Sequence, residues 1–324
     1  MFSFLGTRKM AERKVPFYKE VSGMKIPGAF SEEACLSAIN YKPKPNDLFI
    51  VTYPKCGTTW MQHIVMLILR KGKPFENALD FFINTPFLER SGADVVDLMT
   101  SKGALKLHLP FHLTPFYPHA KYIYVARNPK DCCVSFYNHT KEFAFYFYKD
   151  ATFDDFFEIF VRGEVEFGDY FDHLIPWYEH RNDENVYFTT YEKVKRNTKE
   201  EVLNIVKFLG EEYERDLKEN PKILDDVLHY SSFEYMKKHV NEYYATMSGY
   251  IRENPDKVSS GWKHIAEFSK SVLNMPASKA GNDKFVRKGI IGDWRNYFSK
   301  EQEERLEERI KEKTKGSDVM KLWD

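Results

Sequence analysis

The sequence predicts an α/β protein with one domain, in which helices flank a central parallel sheet. Two observations favour this class: three short apolar strands are each followed by a turn and an amphipathic helix, and no repeat or low-complexity linker divides the 324 residues. Strand–turn–helix units in series produce parallel strands, because each helix carries the chain back across the sheet. With 43% hydrophobic residues, the chain can bury a large core.

The first unit begins with a short apolar run at residues 48–53, which has the composition of a buried strand. Pro54 and Gly57 break this strand, and apolar residues at a spacing of three to four then predict a helix over residues 58–70. Gly72 suits the end of that helix, because glycine readily adopts the left-handed conformation found at helix ends.

Two further units have the same order. Residues 122–126 form the second predicted strand, and a helix follows it. Residues 186–189 form the third strand, which precedes a helix over residues 198–209. We expect that helix to begin with a capping box between Thr198 and Glu201.

The other segments are interpreted from composition. Residues 153–181 are expected to be mainly helical, and residues 299–313 to form a charged helix exposed to solvent. Residues 264–283 mix lysine, serine, glycine and asparagine, which is typical of a mobile loop. Residues 1–29 are interpreted as an extended N-terminal segment of the one domain, which spans residues 1–324.

The charge and the cysteines exclude several partners. Lysine and arginine number 48, as do aspartate and glutamate, whereas nucleic-acid-binding proteins usually carry a basic excess. We find no apolar run that suits a signal peptide or a membrane span, so we expect neither nucleic acid nor membrane as a partner. The four cysteines lack metal-ligand spacing, which predicts a reducing cytoplasmic location and no metal site.

The turn between the first strand and its helix has the composition of an anion site. In TYPKCGTTW (52–60), a tight turn brings backbone N–H groups, two threonine hydroxyls and Lys55 to a helix start. Such groups bind phosphate through N–H donors and the helix dipole. The spacing differs from that of a Walker P-loop. Arg127 follows the second strand, where a magnesium-dependent kinase would carry a metal-binding aspartate.

Two more segments carry candidate groups. Lys106 and His108 lie at the end of a predicted strand, residues 104–107, and their side chains point to the same side because they are two residues apart. A neutral histidine is a suitable general base near pH 7. Near the C-terminus, Arg287 and Lys288 are followed by two glycines, which allow the backbone to approach a phosphate closely.

Together these segments resemble the cytosolic sulfotransferases, over residues 30–304. The similar pieces occur in family order: TYPKCGTTW (52–60), KLHLP (106–110), VARNPKDCCVSFY (125–137), Tyr191 with Glu192, and RKGIIGDW (287–294). The resemblance implies a fold similar to that of the P-loop kinases. It also implies transfer of a sulfuryl group, without a metal, from 3′-phosphoadenosine 5′-phosphosulfate (PAPS) to a small, aromatic hydroxyl or amine acceptor.

The resemblance further implies a role for each site residue. The catalytic group would be His108, as general base, with Lys106, Lys55 and Ser135. The nucleotide would contact Lys55, Cys56, Gly57, Thr58, Thr59, Trp60, Arg127, Ser135, Tyr191, Ser231, Phe233, Phe285, Arg287, Lys288 and Gly289. The acceptor would contact Phe30, Phe87, Lys106, His108 and Phe143.

Several positions depart from the family pattern. Cys56 replaces a common serine, and the enzyme would be sensitive to oxidation if the helix start lowered the pKa of this thiol. Lys300 replaces the valine at the centre of the family's dimer signature, so we expect a monomer or a weak homodimer. Arg90 and His139 stand where some relatives carry aromatic residues, which favours a polar or charged acceptor. Phenols, catecholamine-like amines and steroids all stay open.

Two other functions stay open at this stage. A metal-dependent small-molecule kinase would need a Walker lysine and a metal-binding aspartate, and both are missing. A nucleotide-binding relative that has lost catalysis would lack catalytic residues, whereas Lys55, Lys106, His108 and Ser135 are all present.

Overall fold

The computed structural model describes residues 15–272 and 285–324. Its strands are β1 (Tyr18–Val21), β2 (Met24–Pro27), β3 (Leu48–Val51), β4 (Ala104–Leu107), β5 (Lys121–Ala126) and β6 (Val186–Thr190). Strands β1 and β2 pair as an antiparallel hairpin, and the other four form a parallel sheet in the order β4-β3-β5-β6. The predicted central parallel sheet is confirmed.

Helices flank the parallel sheet. They are α1 (Glu32–Ile39), α2 (Thr58–Leu69), α3 (Ala78–Asn84), α4 (Leu88–Ser91), α5 (Pro129–Glu142), α6 (Phe153–Val161), α7 (Tyr170–Glu179), α8 (Tyr191–Arg196), α9 (Thr198–Leu209), α10 (Glu211–Glu219), α11 (Lys222–Tyr230), α12 (Phe233–Glu253), α13 (Ser260–Ser271) and α14 (Lys300–Lys313). In the described part of the chain, no helix is long and apolar enough to span a bilayer.

The two faces of the parallel sheet belong to two apolar cores. Along β3, Phe49 and Val51 pack in one core, and Leu48 and Ile50 pack in the other, because successive side chains of a strand point to opposite faces. The first core includes side chains of α5, α6 and α7, and the second includes those of α2, α9, α11 and α12. All of β3 is buried, which explains its continuous apolar sequence.

Parallel register brings the carboxyl ends of the strands to one edge of the sheet. Val51 of β3 is in register with Leu107 of β4 and Tyr124 of β5. The turn after β3, His108 after β4 and Arg127 after β5 therefore emerge at the same edge. Open α/β sheets bind their ligands at this edge.

Strand β4 and helix α9 have the predicted bounds, but the capping box predicted for α9 is wrong. Asn197 is the N-cap, and no side chain caps the helix. Thr198 donates instead to the Val194 carbonyl oxygen at 2.8 Å. Glu201 is buried and accepts a hydrogen bond from Thr189 of β6 at 2.6 Å. Glu201 therefore bonds to Thr189 instead of capping α9, because a buried carboxylate needs strong donors.

Residues 264–283 are not a loop over their first part. They begin within α13, which continues to Ser271, and residues 273–283 lie outside the described part of the chain. Trp262 and Phe268 are buried along this helix. The lysines and serines of this segment are typical of loops, but an amphipathic helix carries the same residues on its exposed face. Composition alone therefore did not distinguish the two.

The N-terminal segment, residues 1–29, is described from residue 15 onward. That part folds back on itself as the β1-β2 hairpin, in which Ser22 and Gly23 turn the chain with positive φ angles of 51° and 76°. Ile26 is buried in the first core, and the Lys25 carbonyl accepts the backbone N–H of Phe167 at 2.8 Å. These contacts attach the segment to the domain.

Helix α14 packs along one face and is charged along the other. Leu306 and Ile310 are buried. Lys130 of α5 forms an ion pair with Glu303 at 2.8 Å, so the helix is less completely solvated than predicted. The Lys300 side chain is 90% exposed. The monomer or weak homodimer stays a prediction.

Candidate active site

The turn between β3 and α2 has the backbone geometry of an anion site. Lys55 and Gly57 have positive φ angles of 69° and 99°. A Cβ atom at Gly57 would lie 2.9 Å from the Tyr191 ring, so glycine is required there. No side chain caps the start of α2. Its first-turn N–H groups are therefore available to an anion.

His108 follows β4, and one hydrogen bond determines its tautomer. Its Nδ1 lies 2.7 Å from the carbonyl oxygen of Thr52. A carbonyl oxygen can only accept, so Nδ1 carries the proton and Nε2 keeps a lone pair. Burial lowers the pKa of His108 well below its ordinary value, and the charge of Lys106 lowers it further. The ring is therefore neutral at pH 7 and can accept a proton at Nε2.

Further hydrogen bonds fix the backbone of His108. Its N–H donates to Glu89 Oε1, and its carbonyl accepts from His173 Nε2 at 3.1 Å. The hydroxyl groups of Thr52 and Thr58 lie 2.7 Å apart, which joins this wall to the anion turn. Burial raises the pKa of Glu89 to about 7, although the His108 N–H opposes that shift.

Two lysine ammonium groups lie in the same region. Lys55 Nζ is 3.2 Å from His139 Nδ1, and Lys106 Nζ is 4.0 Å from the Phe87 ring centroid. Burial lowers the pKa of Lys55 to about 8, and the charge of Arg127 adds to that shift. Burial also lowers the pKa of Lys106 well below its ordinary value. A bound anion would relieve this cost of burial.

Arg127 lies at the other end of the anion turn. Its guanidinium carbon is 4.5 Å from the Tyr191 ring centroid, and its Nη1 donates to the Lys55 carbonyl at 2.9 Å. The Tyr170 hydroxyl donates to the Arg127 carbonyl oxygen. Ser135 of α5 lines the same part of the cavity.

An acidic residue orients the predicted basic pair. Arg287 Nη2 and Lys288 Nζ each lie 2.7 Å from a carboxylate oxygen of Asp293. Burial alone would raise the pKa of Asp293, but hydrogen bonds from Lys288 and Arg287 outweigh it and lower the pKa to about 2. Sequence reasoning did not assign a role to Asp293, although it lies within RKGIIGDW (287–294).

A second aspartate ties this loop to α5. Asp131 accepts the backbone N–H groups of Gly292 at 2.6 Å and Trp294 at 3.0 Å. Gly289 has a φ of +62°, and a Cβ atom there would lie 2.5 Å from the Phe233 ring. Asp131 was also missed, because its partners are distant in sequence.

Aromatic rings surround the region next to α2 and α12. Trp60 Nε1 donates to the Ser231 carbonyl at 2.9 Å, and its ring contacts Tyr191 edge-on with centroids 5.5 Å apart. Lys195 Nζ lies 5.9 Å from the Trp60 centroid and 5.7 Å from the Phe233 centroid. Lys195 was not predicted, although it is four residues after Tyr191 and so on the same face of α8.

One cavity of about 970 Å³ connects these regions, and cavities of this size accommodate whole ligands. The predicted site residues that line it are Phe30, Lys55, Gly57, Thr58, Thr59, Trp60, Phe87, Lys106, His108, Arg127, Ser135, Phe143, Tyr191, Ser231, Phe233, Phe285, Arg287 and Gly289. Lys288 lines a smaller adjoining cavity instead.

Cys56 does not line the cavity, and the condition for oxidation sensitivity, a lowered thiol pKa, is not met. The side chain is fully buried, with its Sγ 3.8 Å from Cys132 Sγ. Burial raises the pKa of Cys56 well above its ordinary value, because the charged thiolate loses more hydration than the helix start returns. Across residues 15–272 and 285–324, no cluster of three or more metal-ligating side chains occurs.

The end of the cavity next to His108 is aromatic and contains buried polar groups. The Phe87 ring contacts the Phe30 ring with centroids 5.6 Å apart and the His108 ring with centroids 4.9 Å apart. Glu166 accepts from the Tyr146 hydroxyl at 2.7 Å, and burial raises the pKa of Glu166 to about 8. Six further residues line this end: Arg90, Tyr146, Glu166, Phe167, Tyr244 and Trp262. Of these, Arg90 was expected to favour a polar or charged acceptor.

Comparisons with known proteins agree with this architecture. A family profile described as "Sulfotransferase domain" matches residues 45–318. The chain is 34% identical to human Sulfotransferase 1C2 over 291 residues, which are 86% of this chain and 87% of that protein. It is 31% identical to human Sulfotransferase 1E1 over 294 residues, which are 86% of each chain.

Solved structures have the same fold. The crystal structure of mouse sulfotransferase SULT7A1 complexed with PAP aligns with a TM-score of 0.67 and 25% identity, over 94% of this chain and 96% of that one. A structure of retinol dehydratase in complex with androsterone and inactive cofactor PAP aligns with a TM-score of 0.66 and 22% identity, over 94% and 91%. The latter similarity concerns the fold.

The fold, which is similar to that of the mouse sulfotransferase, is that of an α/β enzyme of the sulfotransferase class. The profile match and the identity to the curated relatives show that the chain belongs to the sulfotransferase family.

Proposed function

We propose that this enzyme transfers the sulfuryl group of PAPS to a hydroxyl or amine of a small aromatic acceptor. The observation that carries the proposal is the convergence of a neutral His108 with Lys55 and Lys106 in one cavity, beside an anion turn. The PAP bound to the related mouse enzyme supports the choice of nucleotide.

The cavity offers a complementary group for each part of the nucleotide. Arg127, Ser135 and Arg287 would bind the 3′-phosphate, since arginine pairs strongly with phosphate oxygens. Trp60 and Phe233 would enclose the adenine ring. The N–H groups at the start of α2 would bind the 5′-phosphosulfate. With Gly289, these residues line the same cavity.

His108 acts as the general base in the proposed step. Its Nε2 takes the proton of the acceptor hydroxyl as the acceptor oxygen forms a bond to sulfur. The bond between sulfur and the 5′-phosphate oxygen breaks, and the phosphate leaves with that electron pair. The products are the sulfate ester and adenosine 3′,5′-bisphosphate (PAP).

Lys55 and Lys106 stabilise the charge that develops during transfer. The transferring sulfuryl group spreads charge over its oxygens, and the leaving phosphate gains negative charge. Fixed cations in a water-poor cavity stabilise such charge more than water does, because they need no reorganisation. Two lysines can therefore supply the stabilisation that a metal supplies in phosphoryl transfer.

The walls near His108 favour a flat acceptor. Phe30 and Phe87 contact each other edge to face, and Phe143 and Phe167 line the same cavity. Aromatic rings pack well in such surroundings through offset and edge contacts. A phenol is the simplest acceptor that would bring an acidic hydroxyl to Nε2.

We propose a reducing, cytoplasmic location and a monomer or weak homodimer. The four cysteines are free and buried, in keeping with a reducing compartment. The exposed Lys300 removes the apolar centre of the family's dimer signature.

Sulfate transfer from PAPS to a phenol, a catecholamine and a steroid tests the function directly. We expect turnover with at least one phenolic acceptor, and His108→Ala should lower kcat by about 10²–10⁴ because general-base catalysis is lost. Affinity for PAP, measured by titration calorimetry, should persist in that variant. His112→Ala is the matched control, because His112 is exposed and does not line the cavity.

Two results would contradict the proposal. Turnover of ATP with magnesium but none of PAPS would favour a kinase. Near-normal turnover by His108→Ala would show that His108 is not the general base, even if PAPS is the donor.

A further inference from the structure

Arg90 of α4 places a guanidinium in the cavity, and the proposed transfer step does not use it. Its guanidinium carbon lies 4.1 Å from the Trp262 ring centroid and 5.6 Å from the Phe87 ring centroid. Protein surrounds the group, yet it keeps surface toward the cavity. Burial lowers the pKa of Arg90, while the Tyr244 hydroxyl opposes that shift.

Within the described residues, nothing neutralises this cation. No carboxylate there lies within ion-pair distance of Arg90, and its Nε–H has no hydrogen-bond partner. The Glu89 carboxylate accepts a backbone N–H instead, and Glu166 accepts from Tyr146. A largely enclosed guanidinium without a carboxylate partner is costly, so an anionic ligand would relieve the cost.

The other charges near Arg90 are assigned elsewhere. Burial raises the pKa of Glu166 to about 8, so this carboxyl group is mostly protonated at pH 7 and adds little negative charge. Lys55 and Lys106 would face the phosphosulfate in the proposed step. Among the described residues, Arg90 therefore stays a positive charge on the acceptor side that no ion pair balances.

We propose that the acceptor is an aromatic hydroxy compound that also carries a carboxylate, and that Arg90 binds this carboxylate while the hydroxyl lies at His108. This inference rests on the proposed function and names its substrate class. Arg90 and His108 both contact the Phe87 ring, at 5.6 Å and 4.9 Å from its centroid. A single-ring acceptor with a short acidic side chain can therefore reach both groups. The guanidinium matches a carboxylate in shape and charge.

Binding of a matched pair of compounds to the PAP-loaded protein tests this inference without requiring turnover. The probes are 3-(4-hydroxyphenyl)propanoate and the corresponding neutral amide, titrated calorimetrically at pH 7. We expect the carboxylate to bind about 10- to 100-fold more tightly, as for a hydrogen bond to a charged group. Equal affinity, tighter binding of the amide, or no binding of the carboxylate overturns the inference.

Substitutions identify the residue responsible. Arg90→Met removes the charge at similar length and should abolish the preference for the carboxylate, whereas Arg90→Lys should retain part of it. Arg181→Met is the matched control, since Arg181 also stacks on a ring, Tyr178 at 3.9 Å, but lies outside the cavity. A preference that persists in Arg90→Met overturns the inference.

The inference and the proposed function can fail separately. If Arg90→Met does not fold, as judged by lost PAP binding, the compound pair on the unaltered protein and on Arg90→Lys decides the matter. A clear carboxylate preference without any turnover of PAPS would refute the proposed function and leave the anion subsite standing. Turnover of neutral phenols only, with no carboxylate preference, would refute the subsite alone.

Discussion

The same burial has different consequences for the proposed catalytic roles of His108 and Lys106. Burial keeps His108 neutral, which a base requires, but it also lowers the pKa of Lys106 and brings that of Lys55 to about 8. The two lysines need their protons to stabilise negative charge. A bound nucleotide restores those protons, because an adjacent anion raises a lysine pKa.

The pH dependence of the free enzyme follows from these shifts. The Lys55 ammonium is fully present below its pKa of about 8 and is lost above it, so kcat/KM for PAPS should fall above about pH 8. The fall in kcat should come at higher pH, because bound PAPS raises the lysine pKa. No loss is expected as pH falls from 7 to 6.5, because the pKa of His108 lies well below 6.5.

Initial rates across pH 5.5 to 10 measure both profiles. Lys55→Arg is the comparison, since arginine keeps its proton throughout this range. In that variant, the fall in kcat/KM should shift to higher pH. A kcat/KM that stays flat to pH 10 in the unaltered enzyme would show that Lys55 does not titrate as described.

Among the elements, the basic loop at residues 287–294 depends on α5 for its position. Asp131 accepts two of its backbone N–H groups, and Asp293 orients Arg287 and Lys288. Loops carry functional groups best when a rigid element positions them. The position of the predicted phosphate-binding residues therefore depends on Asp131 and Asp293, which do not contact the phosphate in the proposed complex.

Loss of Arg287 and loss of its support should weaken PAP binding to different extents. Arg287→Ala removes a charge-assisted contact and should weaken binding about 10- to 100-fold. Asp131→Asn keeps the shape of the side chain but weakens its hydrogen bonds to the loop. We therefore expect about a tenfold loss of PAP affinity and about 1 kcal/mol less stability. Titration calorimetry with PAP and urea unfolding measure the two effects.

Asp154→Asn is the control for the loss of a carboxylate, because Asp154 accepts from Gln302 on α14 and does not line the cavity. Unchanged PAP affinity in Asp131→Asn would mean that the loop keeps its position without this contact.

Over the whole molecule, the first core, on one face of the sheet, encloses all four thiols. Burial raises the pKa of Cys35 to about 12 and those of Cys56 and Cys133 well above the ordinary value. Thiolates are the reactive form of cysteine, and they are scarce under these conditions. Oxidation of the cysteine thiols therefore requires the enzyme to unfold.

Thiol labelling under native conditions measures this protection. With a disulfide reagent at pH 8, we expect none of the thiols to react quickly in the folded protein and all four to react in guanidinium. Activity should survive a dose of peroxide that oxidises an exposed cysteine. Rapid labelling of one thiol together with loss of PAP binding would support the hypothesis that Cys56 makes the enzyme sensitive to oxidation.

The sequence by itself determined the order of the strand–turn–helix units and the anion turn after β3, and it indicated many of the residues that line the cavity. These features are local: a buried strand is a continuous apolar run, a helix has its own periodicity, and a tight turn needs glycine. They can be recognised wherever neighbouring residues alone specify the conformation.

Only the tertiary structure decided which distant partners these residues meet. Glu201 bonds to β6 rather than capping α9, Cys56 is enclosed in the core, and Asp131 holds a loop more than 150 residues away. Arg90 lies beside Trp262 and Phe87, and Trp262 is distant from it in the sequence. Burial, pKa and charge pairing depend on the sum of such contacts, which no local pattern in the chain encodes.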